Sequence, residues 1–303
     1  MLITRTPLRI SLAGGGTDLK SYYKFETGKV INMAIDKYLY VIVKKQLGVV
    51  EFKYRINWSQ VEFCNKISEI KHPIVREVLK YFKIDFPLEI TTFSDVPANT
   101  GLGSSGAFTV GLVYALSSFL GKKMSKYSIA SLASKIEIEK VKRTIGKQDH
   151  FCSTYGGINV FTFSKNEIVN IDPVIYKNKT LLELYNILSL YYLGNKRNAS
   201  QILKKQNNRH IKNFPILTKM KSQVDELNNI ITSGIKINRI GDILNEGWKL
   251  KKKLSNYISS KSIDKVYKYA LKNGAKGGKL LGAGGGGFLL LCTTPNKKKK
   301  TNN

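Results

Sequence analysis

Residues 97–111 read PANTGLGSSGAFTVG. A glycine-rich turn, Gly101-Leu102-Gly103, runs into two hydroxyls, Ser104 and Ser105, and an apolar run follows from about Ala107. N–H groups at a helix start have no intrahelical partner and carry the positive end of the helix dipole, so this pattern makes an anion site. Glycine lets backbone approach an oxygen closely and adopt positive φ. The plainer reading is a serine-capped helix after a loop, but a cap does not require Gly101, Gly103 and Gly106 together. Phosphate binding is the expectation. Phosphoryl transfer further needs a carboxylate and a hydroxyl for Mg²⁺, and a base or orienting group at the acceptor hydroxyl. Ser105 and Glu139 could supply the metal ligands. Asp149 stands in the turn Gly146-Lys147-Gln148-Asp149, where Lys147 could hold it ionised.

Each of these residues also has a structural reading. Glu139 could be a solvated acid pairing with Arg143 at i+4. Asp149 could cap a turn, and Asp18, in the turn AGGGTD, could cap a helix beginning near Leu19. Arg9 could be a surface charge on an edge strand.

The elements that must position these residues are legible in outline. Residues 1–12 alternate and read as a strand ending at Gly14-Gly15-Gly16-Thr17-Asp18. Tyr38–Lys44 is β-branched and aromatic, and Val49–Tyr54 is expected to pair with it. Residues 72–82 have helical periodicity, and LEITTF (88–93) is a strand. A helix is predicted over 103–120 with a glycine stop at Gly121, and a second over 125–141, apolar at Ile129, Leu132, Ala133 and Ile136. Residues 184–193 read as a strand, 199–206 as a helix start, and 210–272 as long lysine-rich amphipathic helices. GAKGGKLLGAGGGGFLLLC (274–292) ends in a strand, and so much glycine beside it suggests a loop lying close to a ligand or another backbone.

Two competing templates fail. Gly101-x-Gly103-x-x-Gly106 matches the dinucleotide fingerprint, but SDVPANT separates it from its strand and no acid stands roughly 20 residues on. Gly282-x-Gly284-x-x-Gly287 is followed by a strand where that motif needs a helix. The P-loop signature and the protein-kinase catalytic motifs are absent.

The 303 residues suffice for two modest domains, and a hydrophobic content of 42% suits a globular core. No apolar run approaches the ~18 residues of a membrane span, and Arg5 and Arg9 interrupt the only apolar start, so neither a transmembrane helix nor a signal peptide is expected. Cys64, Cys152 and Cys292 lack metal or disulfide spacing and read as reduced cytoplasmic thiols. The net charge of +29 raises nucleic-acid binding. The lysines are spread along the chain, however, and attraction of phosphorylated small molecules is the simpler account.

TPLRISLAGGGTDL (6–19), PANTGLGSSGAFTVGL (97–112) and KLLGAGGGGFLLL (279–291) together resemble the three signature motifs of the GHMP kinases, in that family's order and spacing. The resemblance covers nearly the whole chain. It implies an α+β, two-domain GHMP kinase fold: an N-terminal ATP-binding domain over 1–175, ribosomal protein S5 domain 2-like, and a C-terminal ferredoxin-like domain over 176–303. AGGGTD, GKQDH, LGNKRNAS and LNEGWKLKKKL resemble one branch, the D-glycero-D-manno-heptose 7-phosphate kinases, with fucokinases as relatives. That branch phosphorylates an anomeric hydroxyl, and the product here would be a 1,7-bisphosphate for nucleotide-activated heptose and surface polysaccharide.

Carried over by motif, Pro97, Asn99, Gly101, Leu102, Gly103, Ser104, Ser105, Gly106 and Ala107 match the ATP phosphate loop. Ser105 and Glu139 match the Mg²⁺ ligands and Asp149 the catalytic aspartate. Arg9 matches a basic residue near the transferred phosphate. Gly15, Gly16, Thr17 and Asp18 match the sugar-contacting turn, and Arg197 an arginine for the sugar's own phosphate. Gly284 and Gly285 match the third motif, near the substrate. His150 stands where the branch usually has glutamine. The sequence ends TTPNKKKKTNN, where similar kinases continue with another helix and strand, and loss of that strand would leave an unpaired sheet edge. A fucose-like or other phosphosugar acceptor, and an inactive sugar- or ATP-binding protein, are the alternatives.

Overall fold

The alternating run that opens the chain is a strand, β1, Leu2–Ala13, with Leu8, Ile10 and Leu12 buried. A computed structural model describes residues 1–194, 199–207 and 209–295. After β1 come α1 (Lys20–Tyr23), β2 (Gly28–Lys45), β3 (Tyr54–Asn57), β4 (Val61–Cys64), α2 (Pro73–Phe82), β5 (Leu88–Ser94), α3 (Ser104–Phe119), α4 (Lys126–Lys135) and α5 (Gln148–Tyr155). Then follow β6 (Ile158–Phe163), β7 (Val169–Pro173), α6 (Asn178–Ile187), β8 (Leu188–Tyr192), α7 (Ala199–Asn207) and α8 (His210–Ser233). The described chain closes with α9 (Ile237–Leu254), α10 (Lys261–Lys272), β9 (Gly277–Leu280) and β10 (Phe288–Cys292). None of the described helices is long and apolar enough to cross a membrane.

The chain forms two compact units: residues 1–9, 34–98 and 103–156, and residues 10–33, 99–102 and 157–303. The reading from sequence cuts the chain once, near 175. The units interleave because the long strands β1 and β2 supply residues to both.

In the first unit, β2 pairs antiparallel with β5 over Leu39–Lys45 and Leu88–Ser94. β5 pairs parallel with β3, and β3 antiparallel with β4. Val41, Val43, Ile56, Leu88 and Ile90 point to one buried face, as β-branched and aliphatic residues on a pleated sheet should. α3 is buried nearly all round and packs on α2, α4 and α5, so its polar start is the part available to a ligand. His72 caps α2, its Nδ1 accepting from Val75 N, and its ring lies between Trp58 and Phe108.

In the second unit, Gly28–Met33 of β2 pair antiparallel with β6, and β6 with β7. β8, β10 and β9 form an antiparallel three-stranded sheet in that order. Its core gathers Tyr22, Met220, Trp248, Leu254, Ile258, Tyr267, Leu280 and Leu289.

Three sequence expectations change. Val49–Tyr54 does not pair with β2: the strand begins at Tyr54 and pairs with β4 and β5, while Val49 is fully exposed. The run 184–193 is divided, its first part completing α6 and only Leu188–Tyr192 forming a strand. The helix predicted over 125–141 is α-helical only to Lys135, and Ile136–Lys140 form a π turn.

Candidate active site

Two glycines of the loop are required by side chains. Gly103, φ 76°, is the N-cap of α3, and a Cβ there would lie 3.1 Å from Arg9 Cγ and 3.2 Å from its Nε. Gly106 lies one turn on, and a Cβ there would come 2.7 Å from Asp149 Cβ. The lack of a side chain at Gly103 and Gly106 thus lets Arg9, from β1, and Asp149, from the first turn of α5, lie against the start of α3. Arg9 donates to Asp149 Oδ1 from Nε at 2.8 Å and from Nη2 at 2.7 Å. The Arg9 side chain is 4% exposed and that of Asp149 29%. Such a fork of charge-assisted bonds fixes the carboxylate's position.

A second cluster surrounds Ser105. Its Oγ donates to Glu137 Oε2 at 2.7 Å. Thr109 Oγ1 donates to Glu137 Oε1 at 2.7 Å, and His150 Nε2 lies 3.0 Å from the same oxygen. Arg143 Nη1 donates to Glu137 Oε2 at 2.5 Å and also to Ser105 Oγ. The Glu137 side chain is wholly buried. Burial pushes its carboxyl up, but hydrogen bonding and charge from His150, the charge of Arg143 and the Ser105 hydroxyl outweigh it and hold the group at about 2.

Ser105 and Glu139, the pair expected from the sequence, are not brought together. Ser105 pairs with Glu137, and Glu139 is exposed. The π turn is the physical reason, since a five-residue turn changes which side chains share the buried face. Lys142, at φ 58°, then turns the chain back, and Arg143 N–H donates to Glu137 O at 3.0 Å. Sequence reading does not single out Glu137, Thr109 or Arg143 as members of this cluster. An ionised carboxylate beside a hydroxyl is a hard-oxygen donor set that fits Mg²⁺.

Asn99–Leu102 belong to the second unit and pack on the third glycine motif. A Cβ on Gly101 (φ 88°) would lie 2.7 Å from Leu281 O, and one on Gly287 would lie 2.2 Å from Thr100 O. Phe288 N–H donates to Thr100 O at 3.0 Å. Lys251, buried in α9, donates from Nζ to Leu280 O at 2.8 Å and Gly282 O at 2.5 Å. Gly285 N–H donates to Ile258 O at 2.8 Å. In the Gly14–Asp18 turn the buried Thr17 hydroxyl bonds Gly14 O and accepts from Lys29 N, while Asp18 accepts from Gly16 N–H. Thr17 is committed to the turn itself, and Gly15 and Gly16 remain half-exposed. Arg197 lies outside the described residues.

Residues 69–157 match the family model of the GHMP kinases N-terminal domain, and residues 231–300 that of the GHMP kinases C-terminal domain. A D-glycero-alpha-D-manno-heptose 7-phosphate kinase from Campylobacter jejuni is 32% identical over 93% of this chain and 86% of its own. The chain belongs to the GHMP kinases. It is an ATP-dependent sugar kinase that transfers phosphate to a hydroxyl. A galactokinase from Pyrococcus furiosus is 25% identical over 93% of this chain and 86% of its own. The fold is the α+β GHMP kinase fold. It is shared with a crystal structure of a D-glycero-D-manno-heptose 1-phosphate kinase from Bacteriodes thetaiotaomicron, at a TM-score of 0.78 and 24% identity over 99% of this chain and 90% of that one. The first family segment contains the α3 start, Glu137, Arg143 and Asp149.

Proposed function

We propose that this kinase phosphorylates D-glycero-D-manno-heptose 7-phosphate at its anomeric hydroxyl, giving the 1,7-bisphosphate used to build nucleotide-activated heptose for surface polysaccharide. The observation that carries the chemistry is the Arg9–Asp149 pair set against Gly103 and Gly106 at the start of α3. With Oδ1 held by Arg9, the partly exposed Asp149 carboxylate takes the proton of the acceptor hydroxyl. The freed oxygen forms a bond to the γ-phosphorus as the bond from that phosphorus to the β–γ bridging oxygen breaks, and ADP leaves. The Arg9 guanidinium stabilises charge on the transferred group. N–H groups at the start of α3 hold the phosphates of ATP.

Ser105 and Glu137, rather than Glu139, would hold Mg²⁺, which when bound neutralises charge on the β- and γ-phosphate oxygens. Residues 1–175 act as the nucleotide-binding domain and 176–303 as the C-terminal domain. The two matched family segments fall on either side of that boundary. The Gly15–Asp18 turn, Gly284 and Gly285 contact the sugar, and Arg197 binds its 7-phosphate. The acceptor assignment is supported by the Campylobacter jejuni relative, whose name specifies a heptose 7-phosphate.

The test is a panel of acceptors with ATP and Mg²⁺, following ADP in a coupled assay: the heptose 7-phosphate, the unphosphorylated heptose, fucose and galactose. The heptose 7-phosphate is expected to give the highest kcat/KM. Faster turnover of fucose or galactose overturns the acceptor assignment.

A further inference from the structure

Arg143 has no part in the chemistry above, yet it occupies the middle of it. Both oxygens of the buried Glu137 carboxylate are engaged: Oε1 by Thr109 and His150, Oε2 by Ser105 and Arg143. One nitrogen of Arg143, Nη1, bridges Glu137 Oε2 and Ser105 Oγ. These are the two oxygens assigned above to the divalent cation, so the guanidinium sits where that cation would sit. Glu137 has no exposed surface, whereas the Arg143 side chain is 25% exposed and has a way out. The backbone bond from Arg143 N–H to Glu137 O anchors the residue whichever way its side chain turns.

We propose that Arg143 is a displaceable internal cation: it holds Ser105 and Glu137 together while no metal is bound, and a divalent ion enters only as the guanidinium swings out. Arginine cannot yield its place by losing a proton at any ordinary pH, so it must move. Two cations sharing one carboxylate oxygen in a partly buried setting repel strongly. The energy of breaking the Arg143 contacts is therefore subtracted from metal binding. The free protein is expected to bind divalent ions weakly, and the nucleotide's phosphates, by offering the released guanidinium an anion, favour the exchange. This inference rests on the reading of Ser105 and Glu137 as metal ligands.

The experiment is Mn²⁺ binding to the full chain without nucleotide, with free ion followed by electron paramagnetic resonance. Arg143→Gln is expected to bind Mn²⁺ about tenfold or more tightly than wild type, since removing the competing charge relieves the repulsion. Arg143→Lys, which keeps the charge but loses the planar fork, is expected to fall between them. Equal affinity in wild type and Arg143→Gln overturns the proposal. Adding Glu137→Gln to Arg143→Gln separates the two readings. If the double variant still binds Mn²⁺ tightly, the ligand assignment itself fails. If it loses Mn²⁺, and Glu139→Gln does not, the metal site stands and only the comparison of wild type with Arg143→Gln decides the role of Arg143. Melting gives a second readout: Arg143→Gln is expected to melt below wild type without Mn²⁺ and to gain more from added Mn²⁺ than wild type does. Should Arg143→Gln fail to fold alone, recovery of the fold in saturating Mn²⁺ supports the proposal, and failure to recover counts against it.

Discussion

Asp149 and Glu137 are two carboxylates beside the start of α3, one against Gly106 and the other bonded to Ser105, and their surroundings differ. Asp149 shares one oxygen with Arg9 and keeps part of its surface in solvent; Glu137 is sealed, with four hydrogen-bonding neighbours. In the proposed mechanism the first, being partly exposed, is the one that meets the acceptor hydroxyl. Replacing it by asparagine keeps the shape and removes the base, so Asp149→Asn is expected to lower kcat by on the order of 10²–10⁴ with ATP binding unchanged. Near-wild-type turnover in a coupled ADP assay would refute the assignment. Asp149 is singled out by the GKQDH motif that carries the family resemblance, and the structure pairs it with Arg9. Glu137 is not singled out. In a continuous helix Glu137 stands four residues after buried Ala133 and Glu139 three after buried Ile136, so periodicity gives both acids an equal claim. The π turn breaks the tie, and nothing in IEIEK announces it.

At the scale of elements, the glycine loop is where sequence reading went furthest. The helix expected over 103–120 is α3, Ser104–Phe119. Its glycines were read as room for phosphate, and the structure adds that Gly106 is also room for Asp149. The two readings differ in what they predict. Glycine to alanine inside a helix normally stabilises it by about 1 kcal/mol. Here the new Cβ would meet Asp149 Cβ at 2.7 Å, so Gly106→Ala is expected to reverse that sign and to cost roughly 1–3 kcal/mol in a urea melt. A loss of kcat should accompany it, since the strain falls on Asp149, the proposed base. A stabilised, fully active variant would show that α3 and α5 separate without penalty. The strand near 49–54 and the 184–193 run were misread for a common reason: short apolar stretches do not fix register or distinguish strand from helix without their neighbours.

For the whole molecule, pH dependence on the acid side follows from two lowered groups, His72 and Glu137. Burial is the main cause that lowers His72 to about 4, against the opposing pull of Glu62 and Glu137. A histidine whose folded pKa lies below its unfolded value of 6.5 contributes stability above that value, and loses it as pH falls toward 4. Glu137, lowered to about 2 from 4.5, contributes above 4.5 and loses its share only at lower pH. The two windows scarcely overlap. Between pH 6.5 and 5 the wild type is expected to lose on the order of 1–2 kcal/mol through His72. His72→Gln should flatten that slope in urea melts at the two pH values, whatever its effect at pH 7. An unchanged slope would assign the loss to other groups. The overall architecture was legible because three glycine motifs in order constrain a whole chain. The two compact units are each discontinuous in sequence, because β1 and β2 supply residues to both.

Lysine is an interchangeable letter over much of this chain, where drift toward arginine would pass unnoticed at exposed positions such as Lys249 and Lys253. Lys251 is different. It is buried with its ammonium, a compact cation, on the carbonyls of Leu280 and Gly282. A planar guanidinium with five donors would leave several unsatisfied there. Compositional bias toward lysine therefore conceals this position: among neighbours free to vary, it is the one whose identity the third glycine loop dictates.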